Sequence, residues 1–86
     1  MEIAPFKIQL QNAYESRIVQ EICIANGLDW TRPDGIVKFT DEMFVSVTTY
    51  ANGEKHLTYI MHVEFFKKHP APEITFIEFV EKYCKL

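Results

Sequence analysis

The sequence is short of the residues from which chemical sites are usually built. Its 86 residues include two cysteines, three glycines and three histidines. Cys23 and Cys84 lie far apart, inside segments that read as helices, which is the pattern of buried thiols and not of a disulfide framework. The three glycines, Gly27, Gly35 and Gly53, are accounted for by a helix end and by turns, so no glycine-rich phosphate loop is left. Only Ser16 and Ser46 are serines, and neither stands in a Gly-x-Ser-x-Gly context at a strand-to-helix elbow, which leaves a serine hydrolase unsupported. Long apolar runs are missing too. No window approaches the ~18 apolar residues of a membrane span, and Met1 to Gln11 has neither the basic start nor the apolar stretch of a leader. The expected location is therefore the cytoplasm, with no membrane embedding.

Charge excludes a further class. Nine Lys and Arg against twelve Asp and Glu give a net charge of −3, and the one basic cluster, Lys67, Lys68 and His69, is too short to follow a phosphate backbone. Lysines also interrupt the acidic residues, so the chain does not imitate DNA. Nucleic acid is not an expected partner.

The remaining polar residues do not assemble into a catalytic or metal set. His56 and His62 share parity on one predicted strand, yet six residues of extended chain separate them by about 20 Å, too far for a common metal. His62 and Glu64 lack further ligands nearby. Cys23 sits mid-helix on the apolar side, where a thiol is usually inert. Asp41 and Glu42 fall in a predicted turn and read as solvated. Neither a catalytic constellation nor a cofactor is expected, so the chain reads as noncatalytic.

What the sequence does have is apolar material. With 48% hydrophobic and 14% aromatic residues, a chain of this length buries enough surface to fold as one domain over residues 1–86, with no room for a second core. Phe6, Ile8 and Leu10 alternate with Lys7, Gln9 and Gln11, the period of a strand buried on one face, over about residues 4–11. Asn12 and Glu15 have capping-box spacing, so a helix begins at Ala13. Its apolar stripe runs through Tyr14, Ile18, Ile22 and Ala25, widened by Val19 and Cys23, with Glu15, Arg17, Gln20 and Glu21 opposite. Gly27 ends it in the left-handed conformation, with Leu28 folding back. Trp30 to Gly35 is a loop, and Ile36 to Phe39 reads as a short strand.

Asn52-Gly53 between Phe44–Tyr50 and Lys55–Val63 predicts a hairpin with a two-residue type I′ turn. That register pairs Val45 with Ile60 and Val47 with Thr58 on one face, and Phe44 with Met61 and Thr48 with Leu57 on the other. Lys67 to Glu73, with two prolines, reads as an extended connector. Thr75 and Glu78 repeat the capping-box spacing, with Ile74 and Phe79 as a staple, so a second helix starts at Phe76. Phe76, Val80 and Tyr83 form its apolar stripe, with Phe79 and Cys84 beside it. The expected fold is α+β: a small mixed or antiparallel sheet of three to four strands, two helices on one face, in the order β-α-β-β-β-α.

A helix closed by Ile24, Gly27 and Trp30, followed by a short strand, a hairpin and the stretch from Ile74 to Tyr83, resembles small accessory proteins encoded by bacteriophages. The likeness spans most of the chain. It implies a modulator or inhibitor of a host factor, acting in the host cytoplasm or in counter-defence, and brings no functional residues with it.

Trp30, alone in a loop after a helix, is either a cap over the core or an anchor for a partner. The sheet face away from the helices, lined by Val45, Val47 and Ile60 or by Phe44, Leu57 and Tyr59, is the second candidate surface. These residues point to a module that docks on a protein partner or on a copy of itself. The alternative is a small-ligand binder, such as a nucleotide-sequestering protein, with its pocket between subunits or beside Trp30.

Overall fold

A computed structural model describes residues 2–84. Four strands and three helices run in the order β1 (Phe6–Gln9), α1 (Ala13–Ala25), β2 (Phe44–Thr49), β3 (Lys55–Tyr59), α2 (Val63–Lys68), β4 (Glu73–Ile74) and α3 (Phe76–Tyr83). The sheet order is β3-β2-β1-β4. It is mixed, since β4 lies parallel to β1 while the other pairs are antiparallel. The fold is therefore α+β, with three departures in the elements expected: Ile36–Phe39 forms no strand, Val63–Lys68 is a helix, and Glu73–Ile74, at the end of the expected connector, is a strand.

Both longer helices begin, and α1 ends, where local chemistry dictates. The Asn12 side chain accepts from the Glu15 amide at 2.9 Å, while the Glu15 carboxylate reaches one residue beyond the cap to the Gln11 amide at 3.0 Å. At the other end Gly27 adopts φ +81, its amide donates to Ile24 and the Leu28 amide donates to Cys23. This double closure is the Schellman pattern, and it turns Leu28 into the core. Thr75 and Glu78 form a complete capping box at α3.

The hairpin closes by a different turn from the expected one, which shifts the register. The Gly53 amide donates to the Tyr50 carbonyl and the Tyr50 amide to the Glu54 carbonyl, with Gly53 at φ +85. Asn-Gly thus ends a three-residue loop in which only the glycine is left-handed, a bulged turn and not a type I′ pair. Pairing becomes Val45 with Tyr59, Val47 with Leu57 and Thr48 with His56. One step of register exchanges faces along a strand, so Val45, Val47, Leu57 and Tyr59 now share a face with Phe6 and Ile8.

That face carries α1 and α3. Phe6, Ile8, Val45, Val47 and Leu57 pack with Val19, Cys23, Phe79 and Tyr83 in one core cluster, and the rings of Phe6 and Phe79 lie 5.3 Å apart. Tyr14 is 68% exposed, whereas Ser16, Val19, Gln20 and Cys23 form the buried line of α1. The inward stripe is rotated from the expected one because Gln20 faces the core.

The opposite face is covered as well. There α2 lies over Phe44, with the Phe44 and Phe66 rings 4.8 Å apart. Lys7, which alternation would place in solvent, is 7% exposed. Its ammonium donates to the carbonyls of Phe66 at 2.7 Å, Lys67 at 3.2 Å and His69 at 3.0 Å. A helix C-terminus leaves carbonyls unpaired and carries partial negative charge, so one ammonium with three donors stabilises this short helix there. Burial, followed by the Lys7 charge, holds the His69 ring below its ordinary pKa.

Replacing Lys7 by Ala is expected to destabilise the fold by about 1–3 kcal/mol, because three carbonyls lose a charged donor. Urea unfolding checks this. Lys7→Met, which keeps most of the apolar stem, is expected to recover only part of the loss.

Candidate functional site

The segment between α1 and β2 shapes the most distinctive surface. It follows no regular ladder, and its backbone is held by a side chain. Gln20, 1% exposed, spends its whole hydrogen-bonding capacity there. Its Oε1 accepts from the Trp30 indole at 2.9 Å and from the Lys38 amide at 2.9 Å. Its Nε2 donates to Ser16 Oγ at 3.0 Å and to the Lys38 carbonyl at 2.6 Å. The amide orientation is fixed by its partners, since the Lys38 N–H and the indole can only donate and the Lys38 C=O can only accept. Lys38 is thus paired as it would be in a sheet, with a glutamine in place of a strand. Among the described residues no buried side-chain nitrogen or oxygen lacks a partner.

The next residue, Phe39, has φ +56. A left-handed backbone at a bulky residue is strained and persists only where surrounding contacts enforce it. It also ends any extended run at Phe39, and Lys38 just before it has Gln20 where a strand would have a neighbour. The turn places the Phe39 ring edge-on to Trp30 at 5.1 Å and against Tyr59 at 5.0 Å.

These rings floor a groove of about 380 Å3 whose lining includes Trp30, Arg32, Lys38, Phe39, Tyr50 and Tyr59. Phe39 is 43% exposed and Tyr50 and Tyr59 are each 39% exposed. Lys38 is paired with Asp34 at 2.9 Å. The hydrogen bond from Lys38, followed by one from the Ile36 amide, lowers the Asp34 pKa. Arg32, exposed at the rim, is in no ion pair among the described residues.

The expected interface residues separate on this geometry. Trp30, Val45, Val47 and Leu57 are buried at 4%, 0%, 0% and 1% exposure, so they belong to the core, with Trp30 and Leu57 underlying the groove. The groupings fail because helices cover both faces of the sheet and because the register step sets Leu57 and Tyr59 beside Val45 and Val47. Phe44 is half-buried on the other face beneath α2, and Ile60 is half-buried just past β3. Of the seven, Tyr59 alone is an exposed groove residue. Arg32, Lys38, Phe39 and Tyr50 join it, and sequence reasoning did not reach them. The one available signal was Trp30: a buried indole requires an acceptor, and Gln20 stands on the preceding helix.

The other polar groups keep to ordinary positions. Burial pushes the Cys23 thiol up to about 12, so it is no nucleophile near neutrality. Cys84 is exposed at the end of α3, not buried as expected. No cluster of His, Cys, Asp or Glu suited to a metal occurs among the described residues. No helix among them is long and apolar enough to cross a membrane.

Gln20→Ala is expected to destabilise by about 2–4 kcal/mol, because the indole and both polar groups of Lys38 lose partners in a desolvated setting. A lower urea midpoint and a red-shifted Trp30 emission check it. At position 39, Gly is expected to be more stable than Ala by about 1 kcal/mol, the scale of left-handed strain at a residue with Cβ. Both variants lack the ring, so the comparison isolates the backbone. Comparison with protein-family models, curated proteins and solved structures returns no match for this chain.

Proposed function

We propose that this protein is a noncatalytic interaction module whose docking site is the groove of Phe39, Tyr59, Tyr50 and Arg32. The observation that carries this reading is the placement of Phe39. A strained backbone holds a large aromatic ring part-exposed over two others. A ring kept at that exposure against local preference suits recognition better than core packing, since observed strain tends to collect at ligand clamps and binding loops. Aromatic residues and arginine are also the side chains that most often anchor protein interfaces.

The nucleotide-sequestering alternative finds less support. The Phe39 and Tyr59 rings touch at 45° to each other, and Trp30 is buried, which leaves no slot between parallel rings for a base. Modulation or inhibition of a host factor in the host cytoplasm, the role implied by the likeness to phage accessory proteins, is the biological form we propose for the module.

Chemical cross-linking in the lysate of the native host tests this reading. Wild-type protein is expected to capture a defined partner that Tyr59→Ala and Arg32→Ala each lose, while Arg32→Ala keeps the wild-type melting temperature within about 2 °C and Tyr59→Ala, though less stable, keeps the wild-type far-UV circular dichroism. Capture unaffected by either substitution would overturn the site assignment. A melting temperature raised by nucleotides would move the function to ligand sequestration, because a ligand at 100 times its dissociation constant stabilises by about 2.7 kcal/mol.

A further inference from the structure

The groove adjoins a sheet edge that the chain itself has half filled. β3 is an edge strand. On its outer side the Leu57 amide donates to the Asp29 carbonyl at 2.9 Å, and Trp30 pairs with Leu57 in parallel. The chain then leaves the edge, because Pro33 and the contact from the Asp34 amide to the Arg32 carbonyl turn it away. Polar backbone groups alternate sides along a strand. Ile60 donates inward to Phe44, so Tyr59, in phase with Leu57, directs its N–H and C=O outward into the groove. The edge thus already takes the chain's own backbone at Leu57, and one pleat later no backbone partner meets Tyr59 on that side among the described residues.

The charge left unpaired at this opening among the described residues is positive. The lining carries Arg32 and Lys38 and no carboxylate, although the whole chain is at −3. Asp34 occupies Lys38, so Arg32 is the cation left to a ligand. A second copy of the protein fits poorly, because a two-fold contact through this groove would set the same cationic rim against itself.

We propose that the groove receives an extended acidic segment of a partner protein, added as a strand to the β3 edge at Tyr59. In this arrangement an apolar side chain of the segment rests on Phe39 and Tyr59. A neighbouring carboxylate takes the forked guanidinium of Arg32. The inference rests on the interaction-module reading and adds to it the partner's conformation and charge.

A display library of random linear peptides, panned against the full chain, tests it. Enriched peptides are expected to place an acidic residue beside an aromatic or β-branched one. Binding of such a peptide is expected to protect the Tyr59 amide from hydrogen exchange. It is also expected to weaken about tenfold in Arg32→Gln, the scale of one charge-assisted contact, with far-UV circular dichroism unchanged. Panning against Arg32→Glu is expected to select basic peptides instead. Peptides that bind the groove without acidic residues, or that leave Tyr59 exchange unchanged, would overturn the strand-addition proposal while the docking site stands. Peptides that bind undiminished when Tyr59 and Phe39 are both replaced by Ala would overturn both.

Discussion

The carboxamide of Gln20 is the interaction on which the functional half of the molecule depends. One side chain ties α1 to the Trp30 indole and to both polar groups of Lys38. A buried network of this kind rigidifies when every member is satisfied and is a liability when one is not. Here the amide is saturated, so the segment that would otherwise be an unanchored loop has a defined path. The conformation of Phe39 and the groove above it follow from that path. A polar residue in the core therefore serves the surface more than the core.

Lys7 plays the matching role on the opposite side of the sheet. Its ammonium is held by the carbonyls at the end of α2, and Phe66 packs below it at 5.0 Å. Its aliphatic stem crosses apolar surroundings while the charge finds carbonyl oxygens. Beside it Ser46 lies 2.7 Å from Thr58 and 3.0 Å from Thr48, so this face is cohesive through hydroxyls where the other is cohesive through aliphatic and aromatic packing. Both faces of a small sheet are thereby covered, and the exposed large apolar side chains lie on the outer sides of the helices, as at Tyr14, Phe65 and Ile77, as well as in loops and at the β3 edge.

Local signals were legible in proportion to how little they needed from distant residues. Asn12, Thr75 with Glu78, and Gly27 with Leu28 set helix boundaries through contacts within one turn, and those boundaries agree with the structure. The hairpin was legible but its register was not, because Asn-Gly serves two turn geometries that differ by one residue and the choice reverses the faces. α2 carried no capping side chain, and its stabilising partner, Lys7, is remote in sequence. Gln20 looked solvated because its partners are a tryptophan and a backbone segment on other elements. The candidate site was lost with it: of the seven residues expected at an interface, only Tyr59 is exposed in the groove, Trp30 proved a cap over the core, and the sheet residues were grouped by a register the turn did not adopt.

The parallel pairing of β4 with β1 has a kinetic consequence. It joins Lys7 to Glu73 and Ile8 to Ile74, so the central strand is complete only when nearly the whole chain has been made available. Closing so long a loop carries entropy before many local contacts can compensate it. The β2–β3 hairpin and α1 can form from neighbouring residues, whereas β4 brings α3 with it, and Phe79 with Tyr83 then seals the core. Assembly of this domain is thus governed by when its last third reaches its first strand, which places it among slower folders than helical chains of equal length.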